Sequence, residues 1–208
     1  MYGAWPAVRA RALPGPGAAH VWRADLSCVP DRARGVLSGP ERERAARFPR
    51  RGDGRHWAGS RVALRVLLGL YLDADPAGLD LLRSRDGRLS LAASCGVAFS
   101  LSHSGPLAVF AFTGGAPVGV DVETGRRPFD EIALARRLMG PDGAARIGAL
   151  QPALRRHELL REWARREALL KCGQTLAPWV IDFDVERAPA ALAVACENAP
   201  AVSCWTLC

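Results

Sequence analysis

Gly119-Val120-Asp121-Val122-Glu123 alternates branched apolar side chains with small or acidic ones, the two-residue period of a β-strand. In that geometry Asp121 and Glu123 point to one face, and Val120 and Val122 to the other. Two carboxylates side by side repel each other unless a proton or a cation lies between them. A hard divalent cation such as Mg²⁺ suits the pair and commonly links carboxylates to a phosphate-bearing substrate. An ordinary strand end with a solvated acidic pair is the alternative from these five residues alone.

The chain upstream of this stretch supplies further strands and a long helix. Pro106 to Phe112 is an unbroken apolar run, expected to pair with Val118 to Glu123 across the Gly114-Gly115 turn. Val97 to Leu101 is a short strand that ends in the polar turn Ser102-His103-Ser104-Gly105, and Asp86-Gly87 marks a hairpin between Leu79–Ser84 and Arg88–Leu91. Asp53 to Tyr71 carries Trp57, Val62, Leu64, Val66, Leu67, Leu68 and Leu70 at helical spacing, with Arg55, His56, Arg61 and Arg65 toward its N-terminal half. Ser38 to Phe48 and Pro30 to Leu37 read as shorter helices, and His20 to Leu26 as a strand. Downstream, a helix spans about Phe129 to Met139, followed by a loop at Gly140-Pro141-Asp142-Gly143. A second long helix runs from Pro152 to Cys172 and is capped by Gly173. Ile181 to Val185 and Val202 to Leu207 are the last strands. Each half of the chain therefore offers a long amphipathic helix and two or three strands.

Composition narrows the class. The 208 residues are 49% apolar and 24% charged, as in a folded globular chain. A net charge of +7 favours an anionic partner. Arginine supplies nearly all of it, and Lys171 is the single lysine. Six cysteines form no CxxC pair and no zinc-finger spacing, so reduced thiols in a cytoplasmic protein are expected. The Pro-broken start shows no signal segment, and the apolar stretch near Val62 to Leu72 is too short to span a bilayer. Helix-turn-helix, RNP and zinc patterns are absent, so neither nucleic acid nor membrane is expected as a partner.

Trp163, Glu167 and Lys171 recur at i, i+4 and i+8 of the second long helix and share one face. Alone, Glu167 and Lys171 are a routine helix pair; a large aromatic on the same face draws them toward a half-buried site. His103 is either a hydrogen-bonded structural residue or a donor to a phosphate oxygen. Hydrolase, Walker and dinucleotide motifs (GxSxG, GxxxxGK[ST] and GxGxxG) do not occur.

Three segments in this order and spacing resemble the 4′-phosphopantetheinyl transferase superfamily. They are Phe99-Ser100-Leu101-Ser102-His103-Ser104-Gly105, Gly119-Val120-Asp121-Val122-Glu123 and Trp163-Ala164-Arg165-Arg166-Glu167-Ala168-Leu169-Leu170-Lys171. The similarity extends through Glu41 to Phe48 and Asp53 to Arg65. Its length resembles the larger monomeric type, named after the surfactin-synthetase activator. The resemblance implies an α+β fold of two similar subdomains related by a pseudo-twofold axis, each a small sheet packed on a long helix. Residues 1–105 would form the side that binds the phosphates of coenzyme A, and residues 106–208 would carry the metal and catalytic residues.

By the same resemblance, Asp121, Glu123 and Glu167 match Mg²⁺ ligands, with Mn²⁺ as the alternative metal, and Lys171 matches a lysine at the leaving phosphate. Ser102 and His103 match residues on the coenzyme's phosphates, Arg88 a basic residue near the nucleotide, and Arg44 with Arg55 and His56 the basic residues for the 3′-phosphate and pyrophosphate. His56 stands where arginine is common, so both Arg55 and His56 are candidates. After Lys171 the family's glycine-rich turn is shortened to Cys172 through Leu176. The implied activity is transfer of the 4′-phosphopantetheine arm of coenzyme A to a serine of an apo acyl, polyketide or peptidyl carrier protein, with release of 3′,5′-ADP. A carboxylate-metal phosphohydrolase and a coenzyme A-binding protein without turnover are the alternatives.

Overall fold

A computed structural model describes residues 12–93, 95–126, 128–173 and 178–207; Gln174 to Leu176 of the shortened turn lie outside them. In chain order the elements are β1 (Ala18–Asp25), α1 (Gly39–Ala46), α2 (Arg51–Leu72), β2 (Leu81–Arg83), β3 (Leu89–Leu91), β4 (Ala98–Ser104), β5 (Leu107–Thr113) and β6 (Val118–Val122). They continue as α3 (Glu131–Ala149), α4 (Pro152–Cys172), β7 (Trp179–Val185), β8 (Ala188–Val194) and β9 (Ala201–Leu207). The strands form a four-stranded sheet in the order β4-β5-β1-β9, a three-stranded sheet β6-β8-β7, and the hairpin β2-β3.

The unbroken apolar run of β5 is explained by burial on both faces. Leu107, Val109 and Ala111 meet Val118, Val120 and Val122 of β6 and Leu192 and Val194 of β8, so the two sheets stack face to face. Ala108, Phe110 and Phe112 point the other way, onto Leu64, Leu67 and Leu68 of α2. On the far side, Ala164 and Ala168 of α4 pack against Ala191 and Ala193 of β8. The result is an α+β fold with four layers: α2, the four-stranded sheet, the three-stranded sheet and α4. The larger sheet takes β1 and β4 from before residue 105 and β5 and β9 from after it, so sheet membership does not follow a division of the chain there.

Small residues set the spacing between α4 and β6. A Cβ at Gly119 would collide with the Ala168 carbonyl and the Cys172 amide, so only glycine lets the helix come this close. Since Val118, Val120 and Val122 face the other sheet, Asp121 faces α4, on the side of Glu167 and Lys171. The acidic strand and the ExxxK face are thus brought together by one glycine and a row of alanines.

Four local expectations are corrected. β5 and β6 do not pair with each other: β5 lies between β4 and β1, while β6 pairs with β8 in the register Asp121↔Ala191. Both faces of β5 demand cover, and the Gly114-Gly115 loop carries the chain from one sheet to the next. Ser102 to Ser104 belong to β4 and not to a turn. The loop at Gly140 to Gly143 is a break at Gly140 alone (φ 73°, ψ −174°), after which the helix resumes to Ala149. The alanine-rich β8, an additional strand between the last two expected ones, is the middle strand of its sheet.

Several arginines serve the scaffold. Ser38 caps α1 in a capping box with Glu41. Glu41 then receives the Arg65 guanidinium at 2.8 Å, and Arg65 also donates to the carbonyls of Pro76 and Leu79 at 2.9 Å each. Among the described residues no helix is long and apolar enough to cross a membrane, and Cys28, Cys95, Cys172, Cys196 and Cys204 are free thiols.

Candidate active site

Edge strands β4 and β6 meet where the two sheets touch, and serine side chains join them without a backbone ladder. Ser100 Oγ accepts the Val120 N–H at 3.1 Å, and Ser102 Oγ donates to Asp121 Oδ1 at 2.7 Å. Ser104 Oγ accepts the Thr124 N–H at 3.1 Å and bonds Thr124 Oγ1 at 2.8 Å. Serines at every second position share one face of β4, so the Ser-Leu-Ser-His-Ser pattern is a seam between the sheets.

Asp121 lies at the centre of that seam, 3% exposed. Lys171 Nζ donates to Asp121 Oδ1 at 2.6 Å and to the Val120 carbonyl at 3.2 Å. Asp121 Oδ2 is buried and has no hydrogen-bond partner. Burial raises the pKa of this carboxyl, Lys171 and Ser102 oppose the rise, and Glu167 adds to it. Glu123 is pushed to about 7, chiefly by burial and then by the Asp121 charge, with Lys171 opposing and Glu167 adding repulsion.

Three carboxylates thus share one electrostatic neighbourhood with a single ammonium. Among the described residues no three Asp, Glu, His or Cys groups already stand together as a metal cluster. The donor set nonetheless fits a hard divalent cation: all-oxygen ligands, a buried orphan oxygen on Asp121, and repulsion that positive charge relieves.

The raised pKa of Glu123 carries a stability consequence. A carboxyl at about 4.5 in the unfolded chain and about 7 in the folded one favours folding below about 4.5, and that contribution is lost as pH rises through about 7. In chelator, Glu123→Gln is therefore expected to melt at a higher temperature than wild type above about pH 7, with the difference vanishing near pH 4.5. Thermal melts across that range check this; equal melting temperatures at high pH would sink it.

Two cavities flank the seam. One of about 450 Å³ is lined by Arg61, Arg88, Phe99, Glu167 and Lys171 among others. The other, about 780 Å³, is lined by Phe48, Arg50, His56, His103, Glu123, Arg126, Phe129 and Trp163 among others. Glu167 opens on the first, Glu123 on the second, and Asp121 is buried and lines neither. The His103 pKa is pushed down to about 4, first by burial and then by the positive charge of Arg61, so its ring is neutral at physiological pH.

The residues singled out from sequence fall in several places. Glu123, Glu167, Lys171, His103 and His56 line the two cavities, and Ser102 orients Asp121. Arg88 lines the smaller cavity, pairs with Asp86 at 3.1 Å, and donates to the Leu170 carbonyl, which fastens the β2-β3 hairpin to the end of α4. Arg44 lies over the Trp57 ring at 5.4 Å in a third cavity, of about 610 Å³. Arg55 pairs with Asp31 at 3.9 Å on the surface, whereas its neighbour His56 faces the larger cavity beside His103. Sequence inspection missed Arg61 and Arg126 as cavity residues and Ser100 and Ser104 as seam residues. The two-residue period of the serines held that last signal.

Residues 117–206, which carry Asp121, Glu123, Glu167 and Lys171, match the model of the 4′-phosphopantetheinyl transferase superfamily. A Nostoc sp. protein named 4′-phosphopantetheinyl transferase HetI is 32% identical over 159 residues, covering 73% of this chain and 67% of that protein. A Synechocystis sp. protein provisionally named for the same activity is 27% identical over 138 residues, covering 65% of this chain and 56% of that protein.

Proposed function

From the premise that the chain belongs to the 4′-phosphopantetheinyl transferase superfamily, we propose that it moves the 4′-phosphopantetheine arm of coenzyme A onto a serine of an apo acyl, polyketide or peptidyl carrier protein. The observation that carries this reading is the convergence of Asp121, Glu123, Glu167 and Lys171 between two cavities lined with basic side chains.

In the reaction the serine oxygen attacks the phosphorus that bears the pantetheine arm, the bond to the second phosphate breaks, and 3′,5′-ADP leaves. Asp121, Glu123 and Glu167 would hold the divalent cation, Mg²⁺ or Mn²⁺, which neutralises charge on the pyrophosphate. Glu167 faces the open cavity and accepts the proton of the attacking serine. Lys171 is within reach of the same space and donates to the departing phosphate. His103, held neutral, donates a ring N–H to a phosphate oxygen. Ser102 fixes the orientation of the Asp121 carboxylate.

Residues before 105 supply His56, Arg44, Arg88 and His103 toward the coenzyme, and residues after it the acidic and lysine groups. Both sets lie on one chain, which supports a monomer as the working unit. Free cysteines support a reducing, cytoplasmic setting. The net charge of +7 suits an acidic carrier surface as well as the coenzyme.

Intact-mass spectrometry of an apo carrier protein, incubated with this protein, coenzyme A and Mg²⁺, tests the proposal. The expected result is a gain of one arm, about 340 Da, on the carrier's serine, with stoichiometric 3′,5′-ADP. Coenzyme A binding without mass gain on acyl, polyketide or peptidyl carriers would support a binding protein without turnover.

A further inference from the structure

The face of α4 that carries Trp163, Glu167 and Lys171 continues toward the N-terminus of the helix. The same helical spacing adds Leu160 and Arg156 to it. Arg156 is not on the wall of either cavity that flanks the seam. Its guanidinium instead meets one segment, the connection from β6 to α3, at three points. It donates to the Gly125 carbonyl, lies 4.4 Å from the centre of the Phe129 ring, and pairs with Glu131 at 3.7 Å. Gly125 has φ 58°, and a Cβ there would collide with Leu160 and crowd the Arg156 guanidinium. Glycine thus lets the connection lie directly on the helix.

On its other side this connection is the wall of the larger cavity. Gly125, Arg126 and Phe129 line that space together with Glu123, His103 and Trp163. Two clamps hold the segment from different elements. Ser104 of β4 bonds both the N–H and the hydroxyl of Thr124, next to Glu123. Arg156 of α4 holds the stretch from Gly125 to Glu131. The first clamp keeps Glu123 beside Asp121, and the second sets where Arg126 and Phe129 stand. The Arg156–Glu131 pair is 37% and 28% exposed, and such screened pairs contribute little to stability, so the effect of Arg156 falls on position.

We propose that Arg156 is a positioning residue for coenzyme A: it clamps the β6–α3 connection onto α4 and so fixes the Arg126–Phe129 wall of the larger cavity. This rests on the reading of coenzyme A as substrate. His103 and Arg126 offer donors to phosphate oxygens in that cavity, and Phe129 and Trp163 offer an apolar side to the arm. A displaced wall therefore weakens binding of the coenzyme, while Glu123, held separately through Thr124, keeps its place.

The test compares wild type, Arg156→Met and Arg156→Lys by three measurements. Hydrogen–deuterium exchange of the protein alone is expected to speed up in Arg156→Met over residues 124–131 and to stay unchanged in the rest of α4. Calorimetric titration is expected to show coenzyme A bound roughly tenfold more weakly by Arg156→Met. Transfer kinetics are expected to show the same rise in KM for coenzyme A with kcat within about threefold of wild type. Arg156→Lys keeps the charge over Phe129 without the planar fork and is expected to recover part of each loss. A merely structural arginine would instead lower the folded fraction, so kcat would fall with KM and affinity unchanged; that pattern overturns the proposal. Unchanged exchange over 124–131 overturns it as well, because the connection would then hold without the clamp. Failure of wild type to bind coenzyme A overturns the substrate reading and the positioning role with it, whereas exchange decides the clamp independently of any ligand.

Discussion

Asp121→Asn is expected to lower phosphopantetheinyl transfer by roughly a thousandfold while leaving the fold in place. The substitution keeps the volume of a side chain that is 3% exposed, so the packing of β6 against α4 survives. What is lost is the charge at the centre of the site. Oδ1 is the anchor for Lys171 at 2.6 Å and Ser102 at 2.7 Å, and Oδ2 is the orphan oxygen available to a cation. Breaking a fully buried ion pair costs about 3–5 kcal/mol. Lys171 is 27% exposed and can turn its ammonium into the cavity, so a smaller loss of stability, about 1–2 kcal/mol, is expected here. Carrier mass spectrometry and a thermal melt on the same preparation check both parts. Transfer within tenfold of wild type would remove Asp121 from the proposed mechanism.

Lys171→Met is expected to abolish detectable transfer and to make folding depend on divalent cations. The ammonium is the group that opposes the pKa rise of both Asp121 and Glu123. Without it, the two carboxylates and Glu167 face one another in a desolvated space, relieved only by protons or an added cation. Both folded-state pKa values are raised, so each carboxyl contributes stability below its unfolded value and loses it as pH rises through the folded one. In chelator the variant should thus be close to wild type near pH 4 and fall well below it by about pH 8. Added Mg²⁺ should raise its melting temperature more than it raises that of wild type, because in wild type Lys171 already supplies a positive charge. Equal shifts in the two proteins would show that Lys171 does not act as the internal counter-ion.

Much of the architecture is legible in the sequence because it is local. The helical spacing from Trp57 to Leu70, the Gly173 cap and the alternation around Asp121 depend on neighbours a few residues away, and the corresponding elements form. The candidate site groups were legible for a related reason: an acidic pair at strand period and an aromatic-acid-base face at helical period each fix their own relative orientation. The β5–β6 pairing failed because a continuous apolar run announces burial without saying what covers it. Four-stranded and three-stranded sheets compete for it equally until the whole chain is placed. The β8 strand failed because its alanines signal neither helix nor strand; their small size matters only when α4 lies across them.

The sequence by itself determined the long helices, most of the strands, the net positive charge and which acidic and lysine side chains share a strand or helix face. Those properties follow from side-chain period, charge and type, all of which are written into short windows. The tertiary structure alone decided that Lys171 rests on Asp121, that serines bolt β4 to β6, and that His56, not Arg55, faces the larger cavity. It alone left Arg61 buried with an open Nη1 while Arg65 was satisfied. These outcomes depend on distances between residues 19 to 50 positions apart, and such distances are set by how the layers stack and not by any pattern along the chain.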